Sequence, residues 1–279
     1  MSGKILVLGA TGNVGRPLVD ALVAKGEAVK AASRGGAPVG GAEGVRFDYS
    51  DPSTFATALD GVDRVFVMLA AGYTDPVAML SPIVEAAAAH GAKVVLMTAL
   101  GVDADDAIPY RQVELKLIKS GTPYIILRPS WFADNFHTFW KGGVSAGRFG
   151  LPAGDGATSF IDLRDLVASI AAALTTDRFD GQAFVLTGPQ ALTYTQAAAI
   201  LSEVVGKPVT YEAIDDAAFV TMLTGFGMTE DYSRFLASIF YPVRQGWAAA
   251  STDAVETLTG RKPIPLATYA RDHAADLKA

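Results

Sequence analysis

The chain contains no cysteine in 279 residues. That absence removes disulfides, thiolate metal ligands, iron–sulfur clusters and cysteine nucleophiles together, and it fits a cytoplasmic setting. Histidine is nearly as scarce, and His90, His137 and His273 are too dispersed along the chain to form a recognisable zinc motif, so no metal is expected. Basic charge is thin: 23 Lys and Arg stand against 29 Asp and Glu, a formal net charge of −6, and nowhere do five basic residues cluster. The electrostatic footprint of a direct nucleic-acid binder is missing. Apolar stretches such as 166–174 fall well short of the roughly 18 to 20 residues that a membrane-spanning helix needs. The N-terminal Met1-Ser2-Gly3-Lys4-Ile5-Leu6-Val7-Leu8 has no secretory hydrophobic region with a small-residue cleavage site, which predicts a soluble, cytoplasmic protein.

What is present is a globular composition, half hydrophobic and 19% charged. Ile5-Leu6-Val7-Leu8 reads as a buried parallel strand, and Val14, Leu18, Leu22 and Val23 then recur at helical spacing. The alternation continues with strands at 28–33 and 45–47, a helix at 53–59 opened by Asp51-Pro52, and a strand at 64–69. A helix at about 76–90 before Gly91, a strand at 93–97, a helix at about 109–120 before Gly121 and a strand at 124–127 follow. Strands and helices in this order demand right-handed crossovers, with helices on both faces of a parallel sheet.

Past residue 128 the pattern loosens into aromatic and glycine-rich loops at 131–139 and 142–156. A helix at 163–174, a strand at 182–186 and a helix to about 205, opened by the capping box Thr193-Tyr194-Thr195-Gln196, come next. The remainder reads as helical. The expectation is an α/β fold: one domain over 1–279, with a doubly wound core over about 1–150 and a small, mostly helical C-terminal lobe over about 151–279.

Gly9-Ala10-Thr11-Gly12-Asn13-Val14-Gly15 directly follows the first strand and opens the first helix. In that context the glycines let the backbone turn tightly against a pyrophosphate, whose charge is favoured by the helix's free N–H groups and dipole. The second strand ends Ala32-Ser33-Arg34. No carboxylate stands there to bond a ribose 2′-OH, whereas Arg34 can pair with a 2′-phosphate and Ser33 can add a hydroxyl, so NADP(H) is expected over NAD(H). Asp48 after the third strand either accepts a hydrogen bond from an adenine amino group or caps a turn. Leu69-Ala70-Ala71-Gly72 lies where the fourth strand ends, and its small residues let a ribose approach.

Further segments bring a family into view: Leu127-Arg128-Pro129-Ser130-Trp131-Phe132-Ala133-Asp134-Asn135, Phe160-Ile161-Asp162-Leu163-Arg164-Asp165-Leu166, and Leu186-Thr187-Gly188-Pro189-Gln190-Ala191-Leu192-Thr193. With the glycine turn, these make nearly the whole chain resemble the NmrA-like family of atypical short-chain dehydrogenases/reductases, which includes type 2 quinone oxidoreductases and triphenylmethane dye reductases. The resemblance implies a Rossmann-type domain with a small lobe, and NADP(H) bound with its nicotinamide near Thr98 and residues 129–132. It implies either a reductase or a regulator that binds the dinucleotide without turnover; the chain is expected to be a monomer or homodimer.

Typical short-chain dehydrogenases place Tyr-x-x-x-Lys on one helix face, the ammonium lowering the tyrosine pKa. Here the stretch reads Tyr110-Arg111-Gln112-Val113-Glu114, so a carboxylate opposes phenolate formation and the usual proton relay is not expected. Hydride transfer to a planar, conjugated electrophile, a quinone or dye that spreads its own charge, suits such a site. Trp131, Phe132, Phe136, Phe139 and Trp140 make an aromatic-rich loop able to sandwich a flat ring or to pack a core. Tyr73, Trp131, Phe132, Asn135 and Phe136 are the expected substrate contacts; Tyr110 and His137 are the candidate catalytic groups, His137 being alternatively a surface residue. Arg128 is expected to make structural bonds, with Asp165 one candidate partner.

Overall fold

The computed structural model describes residues 3–278; Met1 and Ser2 of the N-terminal stretch read above, and Ala279, lie outside the described residues. The chain runs through β1 (Lys4–Leu8), α1 (Gly15–Ala24), β2 (Val29–Ser33), β3 (Glu43–Arg46), α2 (Phe55–Leu59), β4 (Val62–Met68), α3 (Pro76–Ala89), β5 (Lys93–Met97), α4 (Pro109–Ser120) and β6 (Tyr124–Pro129). It continues through α5 (Lys141–Ala146), β7 (Arg148–Leu151), β8 (Ala157–Thr158), α6 (Leu163–Leu174), β9 (Gln182–Leu186), β10 (Leu192–Thr193), α7 (Tyr194–Val205) and β11 (Thr210–Ala213). The rest is helical: α8 (Asp216–Gly225), α9 (Glu230–Ser238), α10 (Tyr241–Arg244), α11 (Ala254–Thr259), α12 (Leu266–Asp272) and α13 (Ala274–Lys278). Among the described residues no helix is long and apolar enough to cross a membrane.

Two compact units share this chain. The first takes Met1–Pro129 and Leu166–Val185, the second Ser130–Asp165 and Leu186–Ala279. In the first, the strand order β3-β2-β1-β4-β5-β6-β9 defines a Rossmann-type sheet. Neighbours from β3 to β6 pair in parallel, with Ile5 opposite Val29 on one side of β1 and Val7 opposite Phe66 on the other. Both faces are covered, which is why Ile5, Leu6, Val7 and Leu8 are all fully buried and the strand reads as an unbroken apolar run. The order reverses between β1 and β4, and ligands of open parallel sheets bind outside the carboxyl ends at such a switch.

Local chemistry fixes the helix ends. Pro76 starts α3 behind Asp75, whose carboxylate accepts from the Ala78 amide at 3.0 Å, and Gly121 at φ 75° closes α4 in the left-handed conformation. The Thr193–Gln196 capping box is formed in both directions, at 2.9 and 3.2 Å. The helix expected over 53–59 begins instead as a 3-10 turn over Pro52–Thr54.

The expectation of bare loops at 131–139 and 142–156 is overturned. The first holds a 3-10 turn, Ala133–Phe136, and the second folds into α5 and β7. In the second unit β7 pairs in parallel with β11, a strand inside the stretch read as helical, and β8 pairs antiparallel with β10. Elements of two to four residues are too short for any periodicity to declare them, and their partners lie far along the chain.

Candidate functional site

The glycine turn is built as its spacing demands. Gly9 takes φ 69°, and the Gly12 amide donates to the Gly9 carbonyl at 2.9 Å. A Cβ on Gly15 would sit 2.1 Å from that same carbonyl oxygen, so only glycine lets α1 start this close to β1. Thr11, Gly12 and Asn13 are exposed, while Val14 and Gly15 are buried. The first amides of a helix have no intrahelical acceptor. At α3, α7, α8 and α9 a side chain of Asp75, Thr193, Asp215 or Thr229 supplies one. No side chain caps α1, as none caps α4, and the first turn of α1 holds no acidic residue. The Arg16 amide donates to the Gly12 carbonyl at 3.0 Å, and beyond that bond this positive helix end is left to the glycine turn beside the sheet's switch point.

The other expected cofactor residues follow the carboxyl ends of neighbouring strands. Ser33 ends β2, and its hydroxyl oxygen accepts from the Gly36 amide at 3.1 Å, leaving its proton to donate. Arg34 is exposed and makes no ion pair with any described residue. Asp48, beyond β3, caps a turn by accepting from the Ser50 amide at 2.9 Å, one of the two roles open to it from sequence. Leu69 and Ala70 are half-buried directly after β4, and Thr98 is buried directly after β5.

Near the end of β4 the structure gathers three phenols. Tyr49 is buried and donates to the Met68 carbonyl at 2.5 Å; its ring lies 6.3 Å from that of Tyr73. Burial drives the Tyr49 pKa far up, and the neighbouring phenols of Tyr110 and Tyr73 add to the rise. Tyr110, half-buried on α4, packs against the sheet core. Tyr73 and Tyr110 are candidates from sequence but Tyr49 is not; it follows the third strand and brings its phenol near theirs.

Glu114 does not act on Tyr110 as its spacing predicts: it is fully buried at the centre of an ionic cluster. Its Oε1 accepts from Thr98 Oγ1 at 2.7 Å and Arg128 Nε at 2.9 Å, and its Oε2 from Arg128 Nη2 at 2.7 Å and Arg111 Nη1 at 3.0 Å. Burial opposes its ionisation, but the bonds from Arg128, Thr98 and Arg111 prevail and hold its carboxyl below the usual range. Two guanidiniums neutralise the charge that was expected to bear on the tyrosine. Arg128 therefore pairs with Glu114, and with Asp103 at 2.5 Å, rather than with Asp165. Asp165 accepts instead from the Ile264 amide at 2.6 Å.

The remaining candidates belong to the second unit. Trp131 and Phe132 are half-buried, the Trp131 ring lying 4.5 Å from that of Phe240 at a tilt of 33°, and Asn135 is half-buried in the 3-10 turn. Phe136 is fully buried among Trp140, Phe149 and Phe160, so packing replaces the substrate contact expected of it. His137 shares a hydrogen bond through Nδ1 with the Tyr269 hydroxyl and stacks on His273, ring centres 4.6 Å apart and 10° from parallel. Two histidines thought dispersed are thus neighbours, which sequence separation concealed. Burial lowers the His137 pKa, the Asp134 carboxylate opposing it and His273 reinforcing it. Among the described residues no group of three or more His, Asp or Glu side chains is placed to hold a metal ion.

The chain matches the NmrA-like family over residues 1–246, and it belongs to that family. It is 32% identical over 281 residues to the NAD(P)H azoreductase of Xenophilus azovorans, covering 97% of this chain and 98% of the relative. Among solved structures it resembles the NADPH-dependent quinone oxidoreductase of Escherichia coli complexed with NADPH, with a TM-score of 0.85, 24% identity and coverage of 96% and 99% of the two chains. The Citrobacter triphenylmethane reductase complexed with NADP(H) gives a TM-score of 0.83, 24% identity and coverage of 97% and 100%. These structural likenesses establish the shared fold.

Proposed function

We propose that the chain is an NADPH-dependent, flavin-independent reductase that passes hydride to a quinone, dye or similar conjugated acceptor. The observation that carries this reading is the uncapped N-terminus of α1 behind the glycine turn at the sheet's switch point. The residues present fit the cofactor: Gly9 and Gly12 to Gly15 would hold the pyrophosphate, and Arg34 with the Ser33 hydroxyl would take the 2′-phosphate. The name of the azoreductase relative, with its NAD(P)H, supports the same cofactor class.

When bound, NADPH supplies the hydride, and the protein's part is to hold and orient. The candidate acceptor contacts are Tyr73 in the first unit and Trp131, Phe132 and Asn135 in the second; Phe136 is left out because it is buried. Glu114, saturated by two arginines, offers no proton, so the proton that completes reduction comes from Tyr110, from His137 or from water. Because a conjugated acceptor delocalises its charge, this proton transfer adds little to the barrier. The test is NADPH oxidation by purified protein against a panel of quinones, azo and triphenylmethane dyes and enones. Consumption with at least one of them is expected; tight NADPH binding with every acceptor left intact would overturn turnover and favour a redox sensor.

A further inference from the structure

The sheet order divides a bound dinucleotide. With the pyrophosphate at the end of β1 and the 2′-phosphate at the end of β2, the adenosine half lies toward β2 and β3, so the other half extends over the ends of β4 and β5. Thr98 is the first residue after β5, and its side chain carries one proton and two lone pairs. That proton is committed. Glu114 Oε1 lies 2.7 Å from Thr98 Oγ1, and a carboxylate held by two guanidiniums accepts and cannot donate. The Thr98 amide is committed as well, to the Leu127 carbonyl at 2.9 Å, which fixes the residue between β5 and β6. What the side chain still offers is acceptor capacity alone.

Resting on the cofactor reading above, we infer that Glu114 is a positioning residue. By taking the only Thr98 hydroxyl proton it makes Thr98 an acceptor-only contact for a donor on the nicotinamide half of NADPH, the carboxamide N–H or a ribose O–H. The residue in the lysine position of ordinary short-chain dehydrogenases thereby still serves the nicotinamide end, through a threonine and with the opposite charge. An unfixed hydroxyl would rotate and offer either its proton or its lone pair; the fixed one discriminates against ligand groups that can only accept.

The test is equilibrium binding by fluorescence titration, with NADPH and with its reduced 3-acetylpyridine analogue, which keeps the ribose but replaces the carboxamide NH2 by a methyl group. Thr98→Val is expected to weaken NADPH about tenfold, the loss of one hydrogen bond, and Thr98→Ser to restore it. If the contact is the carboxamide, the analogue binds wild type and Thr98→Val alike; if it is the ribose, Thr98→Val weakens both ligands equally. Glu114→Gln, which turns an amide N–H toward Thr98 and frees its proton while leaving one lone pair, is expected to weaken NADPH less than Thr98→Val does and to add nothing in the double variant. Should Glu114→Gln fail to fold, the Thr98 pair decides. Binding of both ligands by Thr98→Val within twofold of wild type overturns the inference while leaving the cofactor reading intact; a wild type that binds no NADPH removes that reading and this inference with it.

Discussion

Glu114, buried in the first unit, and His137, half-buried in the second, each anchor a polar cluster, and the two are arranged for opposite charge states. Glu114 is met by Arg128 and Arg111, so the anion is the bonded form and its pKa is held down against the pull of burial. His137 meets a phenol on its edge and another imidazole on its face, and burial favours its neutral form. One cluster keeps its charge across the ordinary pH range. The other gains charge, and loses stability, as solution turns acidic.

The largest effect should come from removing the anion. Glu114→Ala leaves two guanidiniums facing a void, and breaking such a buried pair costs about 3 to 5 kcal/mol. Urea unfolding should show it, and a loss below about 1 kcal/mol would mean that solvent already reaches the cluster. Next in size is Arg34→Ala, which removes an exposed arginine that makes no ion pair with any described residue. NADPH binding should weaken about 10- to 100-fold, the range of a charge-assisted bond, with NADH changed less than about twofold. Equal losses for the two cofactors would remove the 2′-phosphate contact.

The third expectation bears on the histidine cluster. A histidine whose pKa is lowered by folding binds fewer protons folded than unfolded once pH drops below the free value of roughly 6.5. Stability is therefore fully present above that pH and falls as pH descends toward the folded pKa. Thermal melts between pH 7.5 and 5.5 should decline with acidity, and His137→Gln should flatten the slope. An unchanged slope in that variant would place the titration elsewhere. The smallest effect is expected from Tyr110→Phe, which should keep turnover within about threefold, against the roughly hundredfold or greater loss typical of a removed general acid. A collapse of turnover with NADPH still bound would make Tyr110 the proton donor.

Much of the first unit was legible in the residues. The strand at 93–97, the helices at 109–120 and 163–174 and the strand at 182–186 fall where apolar runs, Pro and Gly placed them, because buried parallel strands and capped helices write their ends locally. The alignment of Gly9 to Gly15, Ser33, Asp48, Leu69 and Thr98 along one sheet edge follows from that register. Partnerships across the fold were not legible. Glu114 and Arg128 stand 14 residues apart on a helix and a strand, and His137 and Tyr269 stand 132 apart. Spacing along the chain carries periodicity but not which side chains meet, so Glu114 read as a disturbance and Phe136 as a contact.

The division of the chain into alternating segments governs how it is made. Residues 130–165 of the second unit leave the ribosome before Leu166–Val185 of the first, which supply α6 and most of β9. Those late residues close early ones: Lys93 reaches the Asp180 carboxylate at 2.5 Å, and the Gly181 amide donates to the Tyr124 carbonyl at 2.7 Å. Such contacts of high sequence separation come with a loop-closure cost that slows assembly. A growing chain halted after β6 therefore holds an open sheet whose last partner has yet to be synthesised, and in order of synthesis neither unit can be finished before the other has begun.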